Sequence, residues 1–275
     1  VRNDGQTGSG KTSRHRRPTA GHCKKASQKA QRKKMDENRL AEILAEGVTL
    51  RQVEPRIYSV LAPAEASGSY DNVFGTFYDR VACSRLYNRL VWGYSTADYH
   101  TLCRDALESS TEGWVLDAGC GSLAFTAKTY AGYSRRPVVL LDRSVKLLKM
   151  AKSRLTEKSG RIPDNMVFLH ADALDLPFLA DRFDTVICLN LLHVFNDDNA
   201  GKMLAELRRA MRPGGEVFLT TLVENQRLAD RYLHMWANAG ELVPRNVTQL
   251  LSLLATAGLR AEHRIRGNLA FVQCR

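Results

Sequence analysis

The stretch VLDAGCGS, residues 115–122, decides how the rest of the chain reads. A short apolar run ends on an acid, Asp117, and is followed at once by Gly119 and Gly121. Small residues just past a strand let the backbone come close to a ligand. Working outward, four more apolar runs follow: PVVLLD at 137–142, MVFLHA at 166–171, FDTVICL at 183–189 and EVFLTTL at 216–222. The last is entered through the Pro213-Gly214-Gly215 turn. Their near-continuous apolar character suits parallel strands covered on both faces. Between them lie helical stripes: Leu147, Leu148, Ala151 and Leu155, then Met203, Leu204, Leu207 and Met211, then Val247, Leu250, Leu251 and Leu254. At the end, LRAEHRIR and LAFVQCR flank Gly267-Asn268, the signal of an antiparallel hairpin. The pattern predicts an α/β domain over 113–275, doubly wound and Rossmann-like, around a mostly parallel seven-stranded sheet closed by that hairpin.

Two more acids stand at comparable places. Asp142 ends the second run, 21 residues past Gly121, and Asp172 follows the third. An acid at about that distance from a glycine turn is placed to accept both hydroxyls of a ribose. Three acids at the carboxyl ends of adjacent strands share the crevice where open α/β sheets bind ligands, which points to a nucleoside. Each acid also has a plain structural reading, as a strand-end cap, a helix N-cap or the start of a turn.

The remainder of the 275 residues divides by composition. Residues 1–34 hold eleven Lys/Arg against one acid, Asp4, so +10 of the net +11 lies there. Without Leu, Ile, Phe, Trp or Tyr, residues 1–35 are expected to be a disordered basic tail, a solvated extension or a contact for nucleic acid. GQTGSGKT at 5–12 matches a phosphate-loop pattern but lacks the flanking strand and helix that such a site needs. Residues 36–69 read as a short helix, stopped near Gly47, and a linker; 70–112 read as an N-terminal helical cap or lid. No run is long and apolar enough to span a bilayer. Six scattered cysteines without a C-x-x-C pair fit a reducing, cytoplasmic setting, with Cys120 and Cys188 as small buried hydrophobes. No metal-ligand cluster is evident.

From Tyr70 onward the chain resembles the class I S-adenosylmethionine-dependent methyltransferases, in the flavour of the ubiquinone and menaquinone biosynthesis enzymes. The resemblance rests on VLDAGCGS, LLDRSVKLLKMAKSRL, ADALDLPFLADRFDTVICLNLLHVF, LRRAMRPGGEVFLT and FYDRVACSRLYNRLVWG, in that family's order apart from the last, which precedes the others as its helical cover does. It implies S-adenosyl-L-methionine as cofactor. Gly119 and Gly121 would flank its methionine part, with Asp117 anchoring that segment through the amino group or a water. Asp142 would hold the ribose hydroxyls with Arg143 beside the adenine. Asp172 and Ala173 would meet the adenine amine, and Asn190 would lie near the sulfonium. The family's usual glycine two residues past Gly121 is here Leu123.

The expected reaction is in-line transfer of a methyl group to a small-molecule acceptor, with His193 as the candidate base. Neither the N-P-P-Y type of segment nor a Pro-Cys pair at Cys188 is present, which favours a small molecule over RNA or protein. Tyr78, Tyr87 and Trp92 read as core packing of the cap, with stacking on a ligand as the alternative. Three alternatives stand: an RNA-directed enzyme tethered by the tail, a cofactor-binding module without turnover, and, more weakly, a nicotinamide-dependent dehydrogenase.

Overall fold

A computed structural model describes residues 37–62, 84–110 and 112–275. The basic tail, the phosphate-loop pattern, Tyr78 and most of the 62–69 linker lie outside these. The elements are α1 (Glu37–Ala41), β1 (Arg51–Glu54), β2 (Ile57–Ser59), α2 (Arg85–Tyr87) running into a π-helical turn (Asn88–Trp92), α3 (Ala97–Glu108), β3 (Trp114–Ala118), α4 (Ala127–Ala131), β4 (Val138–Asp142), α5 (Val145–Ser159), β5 (Met166–His170), β6 (Phe183–Leu189), α6 (Asp197–Ala210), β7 (Met211–Leu222), α7 (Arg227–Asn238), α8 (Val247–Thr256), β8 (Ala261–Arg266) and β9 (Leu269–Cys274).

The sheet order is β1-β2-β5-β4-β3-β6-β7-β9-β8. The five central runs pair in parallel as the sequence predicts, and β9 joins antiparallel to β7 and β8. The count needs correction: nine strands among the described residues rather than seven. The extra pair, β1 and β2, falls in the stretch read as helix and linker, and β2 runs parallel to β5. Strands of four and three residues are too short to display a period of two. The first helix likewise ends at Ala41, ahead of Gly47.

The helices form because their ends are satisfied as well as their faces buried. Ser144 accepts a hydrogen bond from the Leu147 N–H, and Gly160 takes the left-handed turn that stops α5. Asn196 caps α6, which carries Asp197 and Asp198 in its first turn and Arg208 and Arg209 in its last, matching the helix dipole. Asn246 and Gln249 form a reciprocal capping box on α8. Two apolar layers result. One face of the sheet packs on α1, α6 and α8 through Leu40, Met203, Leu204, Leu207, Leu250 and Leu254. The other packs on α3, α4, α5 and α7 through Tyr99, Leu107, Tyr130, Leu148, Leu155 and Leu233. A fully buried leucine in either layer is worth about 1.5–3 kcal/mol.

Arg136 fixes α3 to this frame. It is almost wholly buried. Its Nη2 donates to the carbonyls of Ala106 and Leu107, Nη1 to Thr185 Oγ1 and the Glu112 carbonyl, and Nε to Tyr133 Oη. The charge therefore sits against the orphan carbonyls in the last turn of α3, where a helix dipole favours a cation.

Candidate functional site

Past the carboxyl ends of β3, β4, β5 and β6 lies a cavity of about 390 Å³. Asp117, Gly119, Gly121, Asp142, Arg143, Asp172, Ala173 and Asn190 all line it, so eight of the nine site residues expected from sequence come together.

The glycine loop is tied to the neighbouring strand. The N–H groups of Gly119 and Cys120 donate to the Leu141 carbonyl at 2.8 and 2.9 Å. A Cβ on Gly119 would meet Leu191 Cδ2 at 2.7 Å, and the φ of +75° is itself strained for any side-chain-bearing residue, so glycine suits the position. Gly121, at φ +56°, has nothing within 4 Å of its would-be Cβ, which leaves room at the cavity wall. Leu123 holds a left-handed backbone, φ +54°, in the place where the family usually has glycine. Such a backbone costs a non-glycine residue about 1–2 kcal/mol, offset here by burial of the leucine side chain in the second apolar layer.

Each acid has a distinct environment. Asp117 is buried; its Oδ2 accepts from the Tyr130 hydroxyl at 2.7 Å, whereas Oδ1 has no hydrogen-bond partner. Burial pushes its carboxyl up to about 7; the Tyr130 hydrogen bond opposes this, and the Asp142 charge adds to it. Asp142 accepts from the Gly121 N–H at 2.8 Å and the Ser144 N–H at 2.9 Å. Asp172 Oδ1 accepts from the Leu174 N–H, and Oδ2 pairs with Arg143 at 3.2 Å.

Asn190 also takes a left-handed backbone, φ +57°. Its side chain is held from both sides: Thr220 Oγ1 donates to Oδ1 at 2.9 Å, and Nδ2 donates to the Tyr99 hydroxyl at 2.5 Å. Tyr99 Oη donates onward to Tyr94 Oη at 3.0 Å, which donates to Asn88 Oδ1. The Tyr99 ring stacks on Phe125, centroids 4.8 Å apart. Tyr99, Phe125 and Glu241 line the cavity and were not singled out by sequence. Tyr99 lies inside an ordinary amphipathic helix, and Glu241 follows α7, so only tertiary contact brings them in.

His193 is the exception. It is buried in the 3₁₀ turn Leu192–Val194 and does not line the cavity. Its Nδ1 lies 3.2 Å from the Leu222 N–H that donates to it and 3.3 Å from Thr221 Oγ1. Burial, and then the Arg245 charge, lower its pKa to about 4. Leu191, two residues before it, and Val194, just after it, line the cavity instead. Tyr87 and Trp92 pack edge-to-face with ring centroids 6.4 Å apart and are also absent from the cavity wall. Cys188 is buried as expected, whereas Cys120 reaches the cavity wall.

Among the described residues no group of side chains could hold a metal ion, and no helix is long and apolar enough to cross a membrane.

Residues 115–215 match the model of a methyltransferase domain family. The chain is 33% identical over 132 residues to 2-phytyl-1,4-naphtoquinone methyltransferase of Synechocystis sp., covering 47% of this chain and 53% of that protein. It is 33% identical over 115 residues to ubiquinone biosynthesis O-methyltransferase of Dechloromonas aromatica, covering 41% of this chain and 46% of that one. The chain spans about half, or less, of the length of the curated relatives it matches. Its fold is shared with the crystal structure of the [4+2]-cyclase SpnF, at TM-score 0.55 and 18% identity over 76% of this chain and 97% of that one. Residues 115–215 thus match a methyltransferase domain, a family whose class I members use S-adenosylmethionine as methyl donor.

Proposed function

We propose that the protein transfers the methyl group of S-adenosylmethionine to a small-molecule acceptor held against Leu191, Val194, Phe195 and Glu241. The observation that carries this reading is Asp117: it lines the cavity, as Gly121 does, and one of its buried carboxylate oxygens, Oδ1, has no partner. An orphaned buried acceptor is costly in the empty protein and suits a ligand that brings a positive donor, such as an amino-acid ammonium. Asp142, at the end of the strand next to the glycine loop, is placed to meet a ribose diol, and Asp172 with Arg143 frames the adenine end.

The bound donor supplies an electrophilic methyl carbon on a sulfonium. The chain then has to orient, exclude water and take up a proton. Asn190, clamped between Thr220 and Tyr99, fixes the wall between donor and acceptor. Leu189, Leu191, Val194 and Phe195 make the acceptor side apolar. His193, turned away and engaged by the Leu222 N–H, is a packing residue in this reading. Glu241 takes the base role instead, as the carboxylate at the cavity wall outside the three strand-end acids. One relative is named for a naphtoquinone and the other for O-methylation in ubiquinone biosynthesis, so an aromatic acceptor with an ionisable hydroxyl is the first class to try.

The test is formation of S-adenosylhomocysteine from hydroxylated aromatic acceptors. Glu241→Gln is expected to lower turnover by about 10²–10⁴-fold while leaving donor affinity unchanged; full turnover by that variant contradicts its role. The shared fold with a cyclase favours one second reading, since one scaffold can host unrelated reactions. Tight donor binding with no homocysteine product from any acceptor supports that reading over methyl transfer. The RNA-directed alternative rests on residues 1–34, outside the described residues.

A further inference from the structure

Among the described residues, the large hydrophobic side chains left exposed are Leu86, Leu90, Leu228, Tyr232 and Met235. They are not scattered. Two belong to α2 and its π-helical turn and three to α7, and these two elements adjoin. On α7, Leu228, Tyr232 and Met235 follow the i, i+4, i+7 spacing of one helix face. A separate stripe, Ala229, Leu233 and Trp236, turns inward to the core. The helix therefore has two apolar faces, and only one of them is covered by the sheet.

The exposed face is edged by cations. Arg85 and Arg89 flank Leu86 and Leu90, while Arg227 and Arg231 flank Leu228 and Tyr232, all four exposed. The acids of the same region are engaged by neighbours: Asp230 accepts from the Asn225 N–H and from Asn268 Nδ2, and Glu224 pairs with His234. Apolar side chains projecting between arginines on one convex surface are the pattern of a helix lying at a lipid interface. There the apolar face enters the acyl boundary and the guanidinium groups meet phosphate. The position is apt, because α7 leads directly into Gly240 and Glu241 of the cavity wall.

We propose that α2, its π-helical turn and α7 form a docking surface for an anionic lipid bilayer, placing the cavity mouth near the membrane. The charge pattern favours lipid over a protein partner. The docking claim stands on the exposed surface alone and does not depend on the methyl-transfer reading.

The experiment is co-sedimentation of the full chain with phosphatidylcholine vesicles containing phosphatidylglycerol as roughly one lipid in three. The wild-type chain is expected to pellet with these vesicles and far less with phosphatidylcholine alone. Because residues 1–34 are themselves basic, a charge-matched control is needed. Leu228→Asp with Met235→Asp is expected to weaken binding by about tenfold or more. Thr248→Asp with Ser252→Asp, the same change in charge on the exposed side of α8, is expected to leave binding within about twofold. Equal losses from both pairs would assign the binding to general electrostatics and overturn the proposal. So would unchanged binding by the α7 pair, or conversion of a wild-type dimer to a monomer by that pair without loss of vesicle binding, which would make this face an interface between copies.

Discussion

Asp117 is where the chemistry of the site is most exposed to measurement. Its carboxyl is pushed up to about 7 because it is buried, so it carries a proton in the empty protein below neutral pH. The sign follows directly. A raised folded-state pKa means the folded protein holds the proton more tightly than the unfolded chain, so this group's contribution to stability falls as pH rises from about 4 through about 7. Binding an ammonium requires the ionised form, so donor affinity should be about fivefold weaker at pH 6 than at pH 7, with proton release on binding. Asp117→Asn should abolish that difference. Calorimetry in buffers of differing ionisation enthalpy reads both effects; flat affinity and no proton release would contradict the assignment. The same scale shows what a sequence conceals. Asp117, Asp142 and Asp172 could be located because strand-end acids are set by local order. His193 could not, since a turn of 3₁₀ helix sends Leu191 and Val194 toward the cavity and His193 away from it.

At the scale of elements, α3 delivers Tyr99 to the cavity, and Arg136 holds α3 in place. Replacing Arg136 by Met would leave the Ala106 and Leu107 carbonyls buried without their donor. We expect a loss of about 3 kcal/mol or more in chemical denaturation, accompanied by weaker donor binding as Tyr99 and Asn190 lose register. A loss below about 1 kcal/mol would mean that the helix is held by its apolar face alone. Nothing in the sequence near Arg136 marks it as buried; it reads as one more surface cation beside Arg135. The strands were legible for the opposite reason. Each of the five central runs is mostly apolar because helices cover both faces of the sheet, and that demand falls on residues pointing either way. β1 and β2, at the sheet margin and only four and three residues long, carry no such signature.

For the whole molecule, the order of the elements did more than any single motif. An acid after the first, second and third strands of the central domain becomes meaningful only because β3, β4 and β5 are neighbours in the sheet, which brings the acids around one cavity. Tyr99 reaches that cavity from α3 and Glu241 from the segment after α7, at distances along the chain over which sequence patterns are silent. The central claim is that these strand-end carboxylates hold the donor. Titration of S-adenosylmethionine into the wild-type chain and into Asp142→Ala by calorimetry tests it most directly. The account predicts saturable binding to the wild type and a loss of about 10–100-fold in the variant, the value of one charged hydrogen-bond partner of about 1.5–3 kcal/mol. Equal affinity of the two proteins, or no binding to the wild type, would contradict it.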